Sequence, residues 1–320
     1  MTRGTVYGGE LATVAEPTSM LLPGHDVPLG RYTTVRRLLP QRTRRMVGAW
    51  CFVDQFGPED VAGRPGMRVP PHPHMGLQTV TWLVDGEILH RDSLGSVQTI
   101  LPGQVNLMTS GHGIAHSEES PPEHPPLMHG LQLWIALPDS ARHCAPGFHH
   151  YPTVPVVEAD GLKATVVAGS FLGVTSPVTV YTPLVGADIR ITRSEGARLE
   201  LEATFEYAAL VLSGAATIDD TALEPGSLLY LPPGRTSLPV TGHPGTRLFL
   251  LGGEPFDEPL VMWWNFVGRS HEEIAEAREG WETGRRFGTV TGYPGDPLPA
   301  PAMPMVRLKA RDRHGRTFPA

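Results

Sequence analysis

The sequence predicts an all-β protein made of two barrel-type domains, with one short helix near the C-terminal end. Three observations predict it. Between Pro71 and Trp134, short stretches rich in β-branched and aromatic residues alternate with turn signals, at the spacing of a β-barrel or jelly roll. The 36 glycines and 33 prolines are scattered rather than gathered into a repeat, as a protein with many tight turns requires. A chain of 320 residues with 40% hydrophobic content can also fill two separate cores. The change in composition across a Pro-rich stretch divides it into residues 1–145 and 146–320.

Taken in order, Met1 to Glu10 carries no apolar core of a secretory signal. No run of ~18 apolar residues follows anywhere, so the chain is expected to be soluble and cytoplasmic. Residues 11–48 read as an arm followed by strands, with Tyr32 to Val35 the clearest, and Met46 to Gln55 as a buried strand leading to the centre of the domain. Phe56 to Pro70, with Gly57-Pro58 and Pro65-Gly66, reads as a loop rimming the entrance. Thr79 to Val84 is a strand, Asp85-Gly86 its turn and Glu87 to Ser93 the return. Leu94-Gly95 and Leu101-Pro102-Gly103 mark further turns, and Val105 to Thr109 and Gly130 to Ile135 two more buried strands.

The chemistry is concentrated in two period-two pairs. Alternate side chains of a strand share a face, so His72 and His74 point one way, and so do His116 and Glu118. On neighbouring strands the two pairs place three imidazoles and one carboxylate around a point, which is a metal site. Of the other histidines, His90, His112, His124, His129, His143, His149 and His150 read as surface or hydrogen-bonded residues. His112, in the Gly111-His112-Gly113 turn, is placed to line the pocket mouth. Facing parity offers Met75, Gln78, Val80 and Met108 as pocket residues.

Composition narrows the function classes. A formal charge of −7 and few basic clusters argue against direct nucleic-acid binding. Arg36, Arg37, Arg42, Arg44 and Arg45 form the one basic patch and read as a solvated strand or edge. Cys51 and Cys144 are too few for a disulfide framework and read as structural thiols.

The run from about Trp50 to Pro138 resembles the N-terminal domain of the pirin family, within the cupin superfamily. The resemblance rests on Pro-His-Pro-His at 71–74, His-Arg-Asp-Ser at 90–93, Met-Thr-Ser-Gly-His-Gly-Ile-Ala-His-Ser-Glu at 108–118 and Gly-Leu-Gln-Leu-Trp at 130–134. It implies His72, His74, His116 and Glu118 as ligands of one metal, usually iron, the same four that strand parity selects. Position 75 is Met where the family usually has Arg, and position 78 is Gln where Glu is usual.

After Pro138 to Pro155, which reads as a linker, strand patterns return at Lys163 to Val167, Val178 to Tyr181, Ala187 to Ile191, Glu206 to Leu212 and Ser227 to Leu231. No His-x-His pair occurs there, so the resemblance implies a bicupin whose second barrel is divergent and metal-free. Ser270-His271-Glu272-Glu273 reads as a capping box opening a helix over 271–282, and the chain from Gly292 is a Pro-rich, then polar, tail that packs across a neighbour or stays partly disordered.

Three imidazoles and a carboxylate suit Fe(II), with Mn, Ni, Cu or Zn also compatible by ligand type, and leave up to two open positions on an octahedral ion. The family resemblance implies a non-haem iron dioxygenase acting on flavonols such as quercetin, with O2 as co-substrate and Glu118 as the base. The alternative it carries is a redox-sensing regulator that binds a transcription factor or metabolic enzyme. No membrane or direct nucleic-acid partner is expected.

Overall fold

The computed structural model describes residues 18–29, 33–159, 161–194 and 196–317. Most of the expected N-terminal arm, and Tyr32 of the first expected strand, lie outside them. Among the described residues the all-β class, the two domains and the single helix are all found. Each domain is a sandwich of two sheets rather than a closed barrel.

In the first domain one sheet is ordered Arg68–His74, Ile114–Glu119, Ile88–Asp92, Val97–Ile100. The other runs Gly147–Tyr151, Val105–Thr109, Leu77–Asp85, Leu127–Ala136, Trp50–Asp60, Thr33–Leu39, His25–Leu29. Its central strands are buried on both faces, so Trp50 to Phe56 is an unbroken buried run. The second domain pairs a large sheet, with Leu184–Ile191, Arg247–Gly253 and Glu206–Ser213 at its centre, with a four-stranded one. One apolar cluster joins the two domains through Trp50, Leu133, Leu210 and Phe249. The Trp50 indole donates across the seam to the carbonyls of Val185 and Gly252 at 3.0 and 3.2 Å. Trp82 does the same to the Asp188 carboxylate at 2.7 Å.

Three expectations need correction. Phe56 to Pro70 is mostly not a loop, because Trp50–Asp60 continues through Gly57-Pro58 beside Leu127–Ala136. A register shift between Met128 and Gly130 makes this possible. Gly57 is also indispensable there, since its φ is +68° and a Cβ would meet the Met128 carbonyl at 1.9 Å. Pro138 to Pro155 is not a plain linker, for its middle, Gly147–Tyr151, pairs with Val105–Thr109. The basic run is not a solvated edge throughout. Arg36 is half-buried beside Asp26, but the Arg44 guanidinium is buried 3.7 Å over the Tyr230 ring and 3.5 Å from Glu206.

Sheet membership does not follow one cut in the chain. Gly147–Tyr151 edges a first-domain sheet, while Met20–Pro23 pairs with Ser227–Leu231 in the second. Hydrogen bonding sets this, because each added strand satisfies backbone groups on an otherwise open edge.

The helix His271–Glu282 begins as its sequence dictates, with the Ser270 hydroxyl accepting from the Glu273 N–H at 3.2 Å. Glu273 reaches back to the Arg269 N–H rather than to Ser270, so half of the capping box is formed one residue early. Ile274 and Ala277 face inward. The tail returns along its own chain. Leu298 donates its N–H to the Pro71 carbonyl at 2.9 Å and accepts from the Trp281 indole at 2.8 Å.

Candidate metal centre

His72 and His74 leave one face of Arg68–His74, and His116 lies directly opposite His72 on the adjacent strand. The three ring centroids stand 4.4 to 4.9 Å apart. One ring nitrogen from each lies within 4.8 Å of the others. His74 Nδ1 and His116 Nε2 are buried without any hydrogen-bond partner. His72 holds Pro70 O through Nδ1 at 2.9 Å, which leaves its Nε2 free. Buried polar atoms left without partners are costly, and a cation between them would satisfy all three.

The electrostatics agree with that use. Burial pushes His72 down to about 4. Burial first, and then the neighbouring imidazoles, hold His74 and His116 well below the usual histidine range. All three are therefore neutral near pH 7, the form in which imidazole binds metal.

Glu118 lines the same cavity but enters the cluster differently. Its carboxylate groups with His116 and His90 rather than with all three histidines. The strand pairing explains the offset. His116 pairs with His72 but Glu118 with Val69, so Pro70 and Pro71 bulge opposite Ser117 and break the simple alternation. Burial raises the Glu118 carboxyl above its ordinary range, opposed in part by the Thr81 hydroxyl, which donates to it at 3.1 Å.

A cavity of about 410 Å³ opens from this cluster. Phe52 and Trp134 stack with centroids 3.9 Å apart, and the Trp134 and His74 rings stand nearly perpendicular with centroids 5.1 Å apart. Arg37 lies 4.5 Å over Phe52 and is held by two hydrogen bonds to Asp54, at 2.9 and 2.8 Å. Trp264, Asn265 and Leu298 come from the C-terminal part of the chain to close another side. Trp134 and Gln132 both come from the Gly-Leu-Gln-Leu-Trp run at 130–134 and share a face of one strand.

The sequence placed other residues here. Met75, Gln78, Val80 and Met108 do not line the cavity. Gly76, at φ +74°, breaks the strand after His74, so parity does not carry past it. Gln78 is instead buried and bonded to the Thr109 hydroxyl and the Thr179 carbonyl. His112 stays exposed in its turn, its carbonyl accepting from Arg286. His124 and His150 are hydrogen-bonded residues, as expected. His90, expected as a surface or hydrogen-bonded residue, is buried and hydrogen-bonded to Asp92. It shares a face with Asp92 two residues on, and that pairing is the signal of an oriented imidazole.

Comparison with known proteins gives this architecture a family. The pirin profile matches residues 32–135, and that of the pirin C-terminal cupin domain matches residues 186–288. The chain belongs to the pirin family. Its two sandwiches are thus cupin domains. It is 48% identical over 277 residues to a Pseudomonas aeruginosa protein named, provisionally, a quercetin 2,3-dioxygenase, covering 86% of this chain and 88% of that one. A pirin-like protein of Caulobacter vibrioides is 40% identical over 78% of this chain and 88% of its own length. The crystal structure of a quercetin 2,3-dioxygenase from Acinetobacter baumannii superposes with a TM-score of 0.87 and 45% identity, covering 91% of this chain and 97% of that one.

Met75 is met by a guanidinium from the C-terminal part of the chain. Arg286 Nη2 lies 3.0 Å from the Met75 sulfur. The imidazole and carboxylate donors, with no thiolate among them, suit a divalent first-row metal ion. Among the described residues, no helix is long and apolar enough to cross a membrane.

Proposed function

We propose that this pirin is a non-haem iron dioxygenase that acts on flavonol-type or related aromatic substrates, with His72, His74, His116 and Glu118 as ligands of one Fe(II). One observation carries the proposal. Three neutral imidazoles with unpartnered ring nitrogens converge at the inner end of a 410 Å³ cavity walled by Phe52 and Trp134. The names of the Pseudomonas and Acinetobacter relatives support the substrate class.

A bound Fe(II) would supply open positions for substrate and O2 and promote the oxidation itself. The chain's own side chains do the rest. Trp134 and Phe52 give a planar substrate a rigid apolar wall. Trp264 and Leu298 narrow the opposite side and help exclude water. Glu118, its carboxylate held by the Thr81 hydroxyl, takes the proton of the substrate hydroxyl. Arg37, already paired with Asp54, adds a donor edge without leaving an uncompensated charge in the wall.

The test is anaerobic reconstitution with Fe(II), followed by O2 uptake with and without quercetin. Uptake that requires quercetin and vanishes in His116→Ala is the expected result. Iron binding with no substrate-dependent uptake would overturn the dioxygenase assignment and turn the search to a regulatory partner.

A further inference from the structure

His116 is not positioned by packing alone. Its Nδ1 lies 3.3 Å from His90 Nδ1, and His90 Nε2 lies 3.2 Å from Asp92 Oδ2. The three residues are 1%, 3% and 2% exposed, so water does not compete for these contacts. Asp92 is anchored in turn. Its other carboxylate oxygen accepts from the N–H groups of Leu94 and Ser96 at 2.9 and 3.0 Å. The His90 ring is clamped flat against Phe148, with centroids 4.3 Å apart.

We propose that Asp92, acting through His90, fixes the tautomer of His116 so that its bare Nε2 faces the cavity. The proton count has one consistent solution for neutral rings. A carboxylate only accepts, so His90 carries its proton on Nε2 and donates to Asp92. His90 Nδ1 is then a lone pair, and the proton between the two Nδ1 atoms belongs to His116. His116 Nε2 is left bare, at the buried atom that has no other partner. The opposite assignment sets the His90 Nε2 lone pair against a carboxylate oxygen. It also leaves His116 Nε2–H buried with no acceptor, so it is disfavoured at both ends.

Asp92 and His90 are thus positioning residues, and neither touches the substrate cavity. The inference deepens the proposed function and rests on it only in taking His116 as a ligand. The tautomers themselves can be read without any metal.

The full-length chain labelled with 15N-histidine, studied by two-bond 1H–15N correlation without metal and with Zn(II), gives the first readout. The expected pattern is Nε2–H for His90 and Nδ1–H for His116. Competition with a chromophoric chelator gives the second readout, the Zn(II) affinity. Asp92→Asn keeps an oxygen for the Leu94 and Ser96 N–H groups but turns an amide donor toward His90. It should reverse both tautomers and lower Zn(II) affinity by roughly 10- to 100-fold. His90→Phe keeps the stack on Phe148 and removes the relay, so affinity should fall similarly and His116 should lose its single tautomer. A wild-type His116 protonated on Nε2, or a doubly protonated His90, would overturn the proposal. So would an Asp92→Asn protein with unchanged tautomers and affinity within twofold. The expected tautomers in a chain that takes up no Zn(II) would leave the relay standing and overturn the metal centre instead.

Discussion

The two cupin domains share an architecture and differ in what fills it. Between the sheets of the first, His72, His74 and His116 reach inward with bare nitrogens and a cavity opens beside them. The corresponding space in the second is filled by Leu162, Val166, Ile189, Val211 and Leu250. The second domain does carry the larger hollow, about 760 Å³, but it is a surface depression bordered by Glu158, Arg198 and Glu200, with no metal-binding cluster among the described residues. Cavity size therefore says little about chemistry. Buried polar atoms without partners say more. The second domain bears instead on the first, through Asp188 under Trp82 and the Thr179 carbonyl under Gln78. Its wholly buried Glu206 is saturated at the seam by the Gly48 N–H, the Tyr230 hydroxyl and Arg44.

The sharpest way to break this contrast is to disable one domain at a time. His116→Ala should weaken metal binding by more than about 100-fold, beyond the loss typical of outer-sphere changes. Ile189→Val in the second core should leave metal binding unchanged and cost about 1 kcal/mol of stability. Metal titration of both variants, with thermal unfolding, checks the pair. Next in size is the seam. Glu206→Gln keeps the side-chain shape but turns one of two accepting oxygens into a donor and strands Arg44 as a buried charge, so denaturant unfolding should show a loss of about 3 kcal/mol.

The neutral histidines give a comparable effect that depends on pH. The folded-state value of His72, about 4, lies below its unfolded value. Between roughly pH 6.5 and 4 the unfolded chain therefore binds the proton that the fold refuses, and stability falls on acidification. Measured without metal against His72→Gln, to cancel other groups, the wild type should lose about 3 kcal/mol across that window. A difference independent of pH would show that His72 is already charged or exposed. The smallest effect on the site itself belongs to the wall that the C-terminal tail supplies. Leu298→Ala should lower stability by about 1–2 kcal/mol and raise the KM for quercetin more than it lowers kcat, since only apolar contact is lost. Steady-state kinetics with quercetin and a bulkier flavonol would check it.

The parts of this molecule legible in the sequence are those governed by local rules. Strand alternation selected His72, His74, His116 and Glu118, and hydroxyl capping by Ser270 marked the helix start. Alternation failed where a local irregularity intervened. Gly76 ended it before Gln78, and the Pro70-Pro71 bulge shifted Glu118 toward His90. Long-range placement was not legible at all. Arg37 is one of five neighbouring basic residues, and only pairing with Asp54 turns it into the wall. Leu298 lies more than two hundred residues from His72 and arrives beside it through a single hydrogen bond to Pro71.

The strand Met20–Pro23 gives the chain a built-in order of events. It is joined through Gly24 to His25–Leu29, which belongs to the first domain, but its own partner is Ser227–Leu231. During synthesis at about 5–20 residues per second, the roughly 200 intervening residues take on the order of 10–40 s to emerge. For that interval the first domain can assemble around its histidines while its leading segment waits, unpaired, for the far edge of a sheet that does not yet exist. The pairing of Met20–Pro23 therefore has to await Ser227–Leu231, and one strand near the front of the first domain is completed only by the second.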